Sequence, residues 1–310
     1  MVYSEIAITL LAAKESGYIR TITQFWRDFS NKETFEEFVS KNDNILQKVE
    51  ALKIQFDLEE DDNIGMLCVF DEDFPCINPK TKDSEKPYLL FYRGDRELLQ
   101  TLNNNVAVIG LIDPTEDIEA RERKVVEKLI GHNLVIVSGL AKGCDEIAHR
   151  TCVEKKAKTI AILPTSLSKI APASNRVLAN EIVETGGLLV TEYYKEATSR
   201  NEAIGRYIER DRLQALFSKA IIMIASYKQG DGDSGSRHAM KYAESFLINR
   251  YIMYNEELDN ADKRFGLNRL LRQQGGVSVL MPHHIEEIKT LTNPNLTKKV
   301  LDVPQQLKLI

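Results

Sequence analysis

The sequence predicts an α/β fold: a doubly wound, mostly parallel Rossmann-like sheet with a small N-terminal helical domain. Three observations carry this reading. From Asn105 onward, short apolar runs alternate with stretches of helical period. The runs are continuous rather than alternating: VAVIG (106–110), LVIVSG (134–139), TIAIL (159–163), LLVTE (188–192) and AIIMIA (220–225), with weaker ones near Tyr251 and at VSVL (277–280). Strands buried on both faces read this way, and a helix between two of them forces a parallel crossover. Before residue 62 the apolar residues recur instead at helical spacing, as in Ile6, Leu10 and Leu11, in Phe35 and Phe38, and in Ile45, Val49 and Leu52.

These patterns divide the 310 residues, 43% of them hydrophobic, into four parts. Residues 1–62 form the helical domain, 63–104 an extended connector packing on the core, 105–282 the Rossmann-like core, and 283–310 a tail or a short capping element. The acidic run Glu59-Glu60-Asp61-Asp62 reads as a solvated boundary, since adjacent carboxylates point in different directions and make a poor metal cluster. Between Met66 and Arg96, Pro75, Pro79 and Pro87 around NPKTKDSE predict extended chain rather than regular structure. His283 and His284 fall beside Pro282 and read as tail residues.

Composition narrows the function. The 41 basic and 46 acidic side chains leave a net charge of −5, which excludes a generally basic DNA-coating protein, so any nucleic-acid site must be local. No apolar run reaches the roughly 18 to 20 residues that span a bilayer, and the opening MVYSEIAITL carries a glutamate where a signal peptide is basic, so a cytoplasmic protein is expected. Cys68, Cys76, Cys144 and Cys152 show no CxxC pair and read as reduced thiols, with no metal site expected.

In a doubly wound sheet, ligands sit beyond the carboxyl ends of the strands. Ser138-Gly139-Leu140-Ala141-Lys142-Gly143-Cys144-Asp145 leads from one strand into a helix, and its glycines, free amides and helix dipole make a phosphate cradle. Lys142 fits either a charge-assisted contact or a solvent-facing lysine. A second anion site is expected at Ser234, Gly235, Ser236 and Arg237. The aspartates there resemble a calcium loop, but Gly235 stands at position five and Tyr242 at position twelve, where an EF-hand needs glycine at six and glutamate at twelve. The loop after the first core strand lacks a G-x-G-x-x-G fingerprint, which disfavours NAD, and Thr115 is placed to cap the helix that follows. Asp145 and His149, four apart, suit a general base on spacing, against the plainer reading of an ordinary i,i+4 pair; no nucleophile elbow is near. Arg206, Arg210 and Arg212 read either as a basic phosphate contact or as a mixed-charge helix surface. Glu192, at a strand end, fits a ligand contact or a cap.

Taken in order, these motifs resemble the DprA/Smf family. Phe74-Pro75 and Leu89-Leu90-Phe91-Tyr92-Arg93-Gly94 match its opening. Ser138 through His149 match its Ser-Gly-Leu-Ala-(Arg/Lys)-Gly-x-Asp-x-x-Ala-His motif, and Pro172, Asn175, Arg210-Asp211-Arg212, Ser234-Gly235-Ser236 and Gly266-Leu267-Asn268-Arg269 follow. The sequence departs from the family where Gly110-Leu111-Ile112 replaces Gly-Ser-Arg, which removes an expected phosphate-contacting arginine, and where Pro164-Thr165-Ser166 replaces a glycine-rich turn. The resemblance implies a homodimer of the SLOG type that binds single-stranded DNA and loads a RecA-type recombinase, without catalysis or cofactor. Ser138, Gly139, Lys142, Gly143, Asn175, Arg210, Arg212 and Ser234 to Arg237 would contact the DNA. The alternative is a SLOG-type pocket for a nucleotide, acting as a sensor or effector in a bacterial defence system.

Overall fold

The computed structural model describes residues 1–57, 64–77 and 81–292. The acidic run 59–62, Pro79 and residues 293–310 lie outside the described residues. The N-terminal helices are α1 (Glu5–Glu15), α2 (Ile22–Asp28), α3 (Lys32–Ser40) and α4 (Asp43–Asp57). Side-chain caps set their starts: Ser4 accepts from the Ala7 amide at 3.1 Å and Thr21 from the Gln24 amide at 3.0 Å, while Asn31 and Thr34 form a capping box. Phe25, Phe29, Phe35, Ile45 and Phe56 fill the space between them.

Regular structure begins earlier in the chain than the prolines suggested. Residues Ile64–Cys68 (β1) and Leu89–Gly94 (β2) form an antiparallel pair with Met66 opposite Phe91, and β2 continues antiparallel onto a core strand. The described prolines, Pro75 and Pro87, fall between the strands, where no ladder donor is needed. Alternation with period two sorts the side chains: Met66, Cys68, Leu89 and Phe91 pack against the N-terminal helices, and Leu67, Leu90 and Tyr92 against the main core. Both faces of this ribbon are apolar because both are covered.

The rest alternates as expected: β3 (Asn105–Ile109), α5 (Glu116–Gly131), β4 (Val135–Ser138), α6 (Cys144–Glu154), β5 (Thr159–Ile162), α7 (Arg176–Glu184), β6 (Leu188–Thr191), α8 (Arg200–Leu216), β7 (Ala220–Met223), α9 (Ser236–Ser245), β8 (Asn249–Ile252), α10 (Glu256–Asp259), α11 (Gly266–Gln274), β9 (Ser278–Val279) and α12 (Pro282–Thr290). The nine strands form one sheet in the order β1-β2-β6-β5-β4-β3-β7-β8-β9, parallel from β6 to β9. Right-handed crossovers then place α5, α6 and α7 on one face and α8 and α9 on the other, and the helices pack on one another in those two groups. The chain moves outward from β3 through β6 and returns to β7 on the other side of β3, so β3 is the switch point at which a crevice opens.

The stretch expected as a tail or a short capping element begins with the helix α12. Ile285 and Ile288, one helical step apart, bury themselves against the core, and Lys219 Nζ donates to Lys289 O at 3.0 Å. The four cysteines are free. Among the described residues, no helix is long and apolar enough to cross a membrane.

One buried ion pair fixes α8. Both terminal nitrogens of Arg212 meet the Glu192 carboxylate at 2.6 Å, and Arg212 also donates to the Glu85 carbonyl at 3.1 Å and the Glu209 carbonyl at 2.8 Å. The two side chains are only 2% and 10% exposed. Glu192 is thus an anchor for Arg212. Removing one member leaves an unpaired buried charge, so Arg212→Leu should cost about 3–5 kcal/mol in urea unfolding, with Arg212→Leu plus Glu192→Leu costing less than the sum of the single changes.

Candidate nucleic-acid interface

Three loops meet at the switch point: residues 110–115 after β3, 139–143 after β4 and 226–235 after β7. Together with α8 they bound a cleft of about 510 Å³.

The loop after β4 is held from beneath. Ser138 Oγ donates to Val108 O at 2.6 Å, and Asn175 donates from its amide to Leu140 O at 3.1 Å and Ala141 O at 3.4 Å; both residues are fully buried. Gly143 has φ +76°, and a Cβ there would lie 2.3 Å from the Leu111 carbonyl, so only glycine fits. The turn passes through Leu140 at φ +59° and delivers the Cys144 amide to Leu111 O at 2.8 Å, which ties this loop to the one after β3.

The cradle's amides already have a carboxylate. Gly139 N and Ala141 N donate to Asp145 Oδ2 at 3.2 and 3.4 Å, with Asp145 in the first turn of α6 where the helix dipole favours an anion. Arg210, 7% exposed in its side chain, lies with Nη1 3.5 Å from the same oxygen and Nε 3.4 Å from Asp211. Gln214, with its amide oriented to satisfy both neighbours, accepts from Arg210 Nη1 at 2.7 Å and Gly139 N at 3.0 Å. Burial, with the charges of Asp145 and Asp233 added and that of Arg210 opposing, pushes the Asp211 carboxyl up to about 7.

The loop after β7 supplies the open side. Gly235 N donates to Asp233 at 3.2 Å, Ser236 Oγ donates to Gly110 O at 3.1 Å, and Arg237 Nη1 donates to Ser234 Oγ at 2.5 Å. Ser236 opens α9, so its amide belongs to the set a helix leaves unpaired. Among the described residues, Arg237 and Lys142 have no ion-pair partner.

Of the residues singled out in the sequence, Arg210, Ser234, Gly235, Ser236 and Arg237 therefore line one cleft, with Gly139 directly against Arg210. Lys142 is exposed beside Ala141, which lines the cleft, and Gly143 shapes the turn below. Ser138 and Asn175 sit in the interior as supports, and Arg212 turns to Glu192. Arg206 is also tied up, to the Lys195 carbonyl and Glu202. His149 is fully buried with Nδ1 2.8 Å from Thr159 Oγ1, and burial, with the Arg210 charge adding, lowers it to about 3. It is a neutral core imidazole, and Asp145 serves the loop amides. Sequence reading missed Ile204, Tyr207 and Ile208 on the cleft wall, and marked Ile112 only as standing where an arginine was expected. The available signal was an apolar i, i+3, i+4 set on an otherwise polar helix.

Two other features lie outside this cleft. His283, His284 and Glu287 on α12 place ligand atoms within 4.8 Å of one another, but His284 Nδ1 already accepts from the Met281 amide at 3.0 Å. A groove of about 610 Å³ beside α1 and α3 is rimmed by Glu5, Glu36, Asp71 and Glu72 against Lys32, a field that repels phosphate.

A Cβ at position 139 would stand 1.0 Å from Arg210 Nη1 and 2.7 Å from Asp145. Gly139→Ala must therefore expel the guanidinium, and unfolding midpoints should show a loss that Arg210→Ala added to it does not deepen. For Asp211, the raised folded value means that its proton stabilises the native state, an effect present at low pH and lost as pH rises through about 7. Asp211→Asn should accordingly be more stable than the parent at pH 8, with the gap narrowing steadily toward pH 4 in thermal melts.

Comparison with known proteins bears on this site. The family model described as DNA recombination-mediator protein A matches residues 65–289. Protein Smf of Synechocystis sp. is 33% identical over 162 residues, 52% of this chain and 39% of that one. DNA processing protein DprA of Streptococcus pneumoniae is 38% identical over 112 residues, 35% of this chain and 37% of that one. The matches thus span less than half the length of these relatives. The X-ray structure of DprA from Streptococcus pneumoniae superimposes with a TM-score of 0.63 at 22% identity over 91% of each chain, a likeness of fold. A structure of DNA processing protein A from Helicobacter pylori, described for its single-stranded DNA binding mode, gives 0.58 at 25% identity over 73% of this chain and 95% of that one. With more than half of its length matched by that family's model, the chain belongs to the DNA recombination-mediator protein A family.

Proposed function

We propose that this protein binds single-stranded DNA in the switch-point cleft and passes it to a RecA-type recombinase, as a cytoplasmic homodimer that performs no catalysis and uses no cofactor. The observation that carries the reading is the start of α9: Ser234, Gly235, Ser236 and Arg237 face the loops after β3 and β4 across one cleft, and Arg237 and Lys142, the latter exposed next to the cleft residue Ala141 on the loop after β4, lack ion-pair partners among the described residues. A helix N-terminus with one such cation, and a second on the facing loop, suits phosphates and reads no base edges. Family membership supports the same reading.

One observation favours the second reading, a nucleotide sensor. Asp145 occupies the Gly139 and Ala141 amides and lies beside Arg210, so the cleft offers charge for only one or two phosphates.

Fluorescence anisotropy with labelled oligo-dT decides between them. The parent should bind with micromolar or tighter affinity and a shallow salt slope, and Arg237→Ala and Lys142→Ala should each weaken binding and reduce the slope by about one. Affinity should fall as pH rises through about 7, where Asp211 gains its charge, and Asp211→Asn should flatten that profile. No binding at low salt would remove the DNA reading, and a thermal shift on adding mononucleotides or cyclic nucleotides would then establish the sensor.

A further inference from the structure

The cleft has a second wall that phosphate chemistry does not use. Ile112, Ile204, Tyr207 and Ile208 line it while 53%, 51%, 41% and 37% exposed. They are four of the eleven exposed large apolar side chains among the described residues, gathered at one place. Ile204, Tyr207 and Ile208 stand at i, i+3 and i+4 on α8 and share one face of that helix. Ile112 stands at the third position after β3, beside Gly110, on the same cleft. Exposed apolar surface concentrated inside a cleft marks a contact site rather than chance exposure.

The two walls have different chemistry. One presents Ser234, Ser236 and Arg237 at a helix start; the other, on α8 with Ile112 opposite, sets Ile204, Ile208 and the Tyr207 ring beside Asp211, with the Arg210 guanidinium 6.0 Å from the ring centre. Ile112, Ile204 and Ile208 offer nothing that donates or accepts a hydrogen bond. A ligand that satisfies both must carry an anionic group on one side and a flat, weakly solvated face on the other. A splayed nucleotide unit does so, with its phosphate toward α9 and its base toward α8. We propose that Tyr207, with Ile112, Ile204 and Ile208, forms a base-contacting wall, so that affinity rests on the faces of unstacked nucleobases as much as on the backbone charge. This rests on the reading of the cleft as a single-stranded DNA site and adds what it recognises. Three aliphatic side chains read no edge pattern, so recognition at this wall is tolerant of sequence and sensitive to the presence of a base. It also accounts for how so acidic a chain holds nucleic acid with few cations: surface contact replaces part of the missing charge.

The test compares two tracers with the same number of phosphates, labelled oligo-dT and an oligomer of abasic tetrahydrofuran units, on the full chain. The parent should bind the abasic tracer roughly tenfold more weakly. Tyr207→Ala should weaken oligo-dT by a similar factor and leave the abasic tracer unchanged, with Ile204→Ala acting in the same direction, whereas Arg237→Ala should weaken both tracers alike. Equal parent affinity for the two tracers, or an equal loss on both in Tyr207→Ala, overturns the base wall and leaves the DNA site standing. Binding of neither tracer removes the DNA site and the wall with it. A shift of Tyr207→Ala to a smaller species in sedimentation would assign the wall to a second copy of the chain and also overturn the proposal.

Discussion

The bidentate pair between Arg212 and Glu192 sets the rotational phase of α8, and the cleft depends on that phase. Glu192 follows the end of β6, so the pair ties one side of a long helix to a fixed point of the sheet. Arg210, two residues earlier, is then carried to the far side of the helix and set against Gly139. Ile204, Tyr207 and Ile208 take their places along the cleft by the same rotation. A pair this dry brings little net stability beyond what a hydrophobic replacement would give. Its contribution is geometric, since a helix free to roll by one residue would present different side chains to the loops.

The electrostatics of the cleft follow from neutralisation within it. Asp145 takes up two loop amides and part of the Arg210 charge, and Asp211 takes up more of it. What would otherwise be a strong anion trap becomes a site whose unpaired cations, Arg237 and Lys142, sit toward solvent.

The sheet was legible from the sequence because buried parallel strands have no polar face to obscure them: Val106 to Ile109 and Ile221 to Met223 could be read as strands from composition alone. The β1 and β2 ribbon was not, since its prolines dominate the local pattern and its two apolar faces are explained only by what covers them. At the cleft, the glycine turns pointed to loops that do meet in the structure, because Gly143 is required by backbone geometry and such a requirement is visible in sequence. The occupant of the turn was hidden. Asp145 was visible as a residue, but its hydrogen bonds to Gly139 and Ala141 depend on the turn's closure, and the separation of Arg210 from Arg212 depends on helix phase. Both are tertiary properties that spacing alone does not determine.

The β1 and β2 ribbon also bears on how the molecule comes apart. Its alternate side chains belong to two different hydrophobic clusters, one under the N-terminal helices and one in the main sheet, and Val2 bonds across to Ile64 and Met66 at 2.8 and 2.9 Å. The two clusters therefore share a common wall only one strand layer thick. Melting the helices would bare Leu89 and Phe91 on a strand that still pairs with β6, leaving a sticky apolar ribbon at the margin of an intact sheet. Mechanically, the helical unit is the lining of that margin.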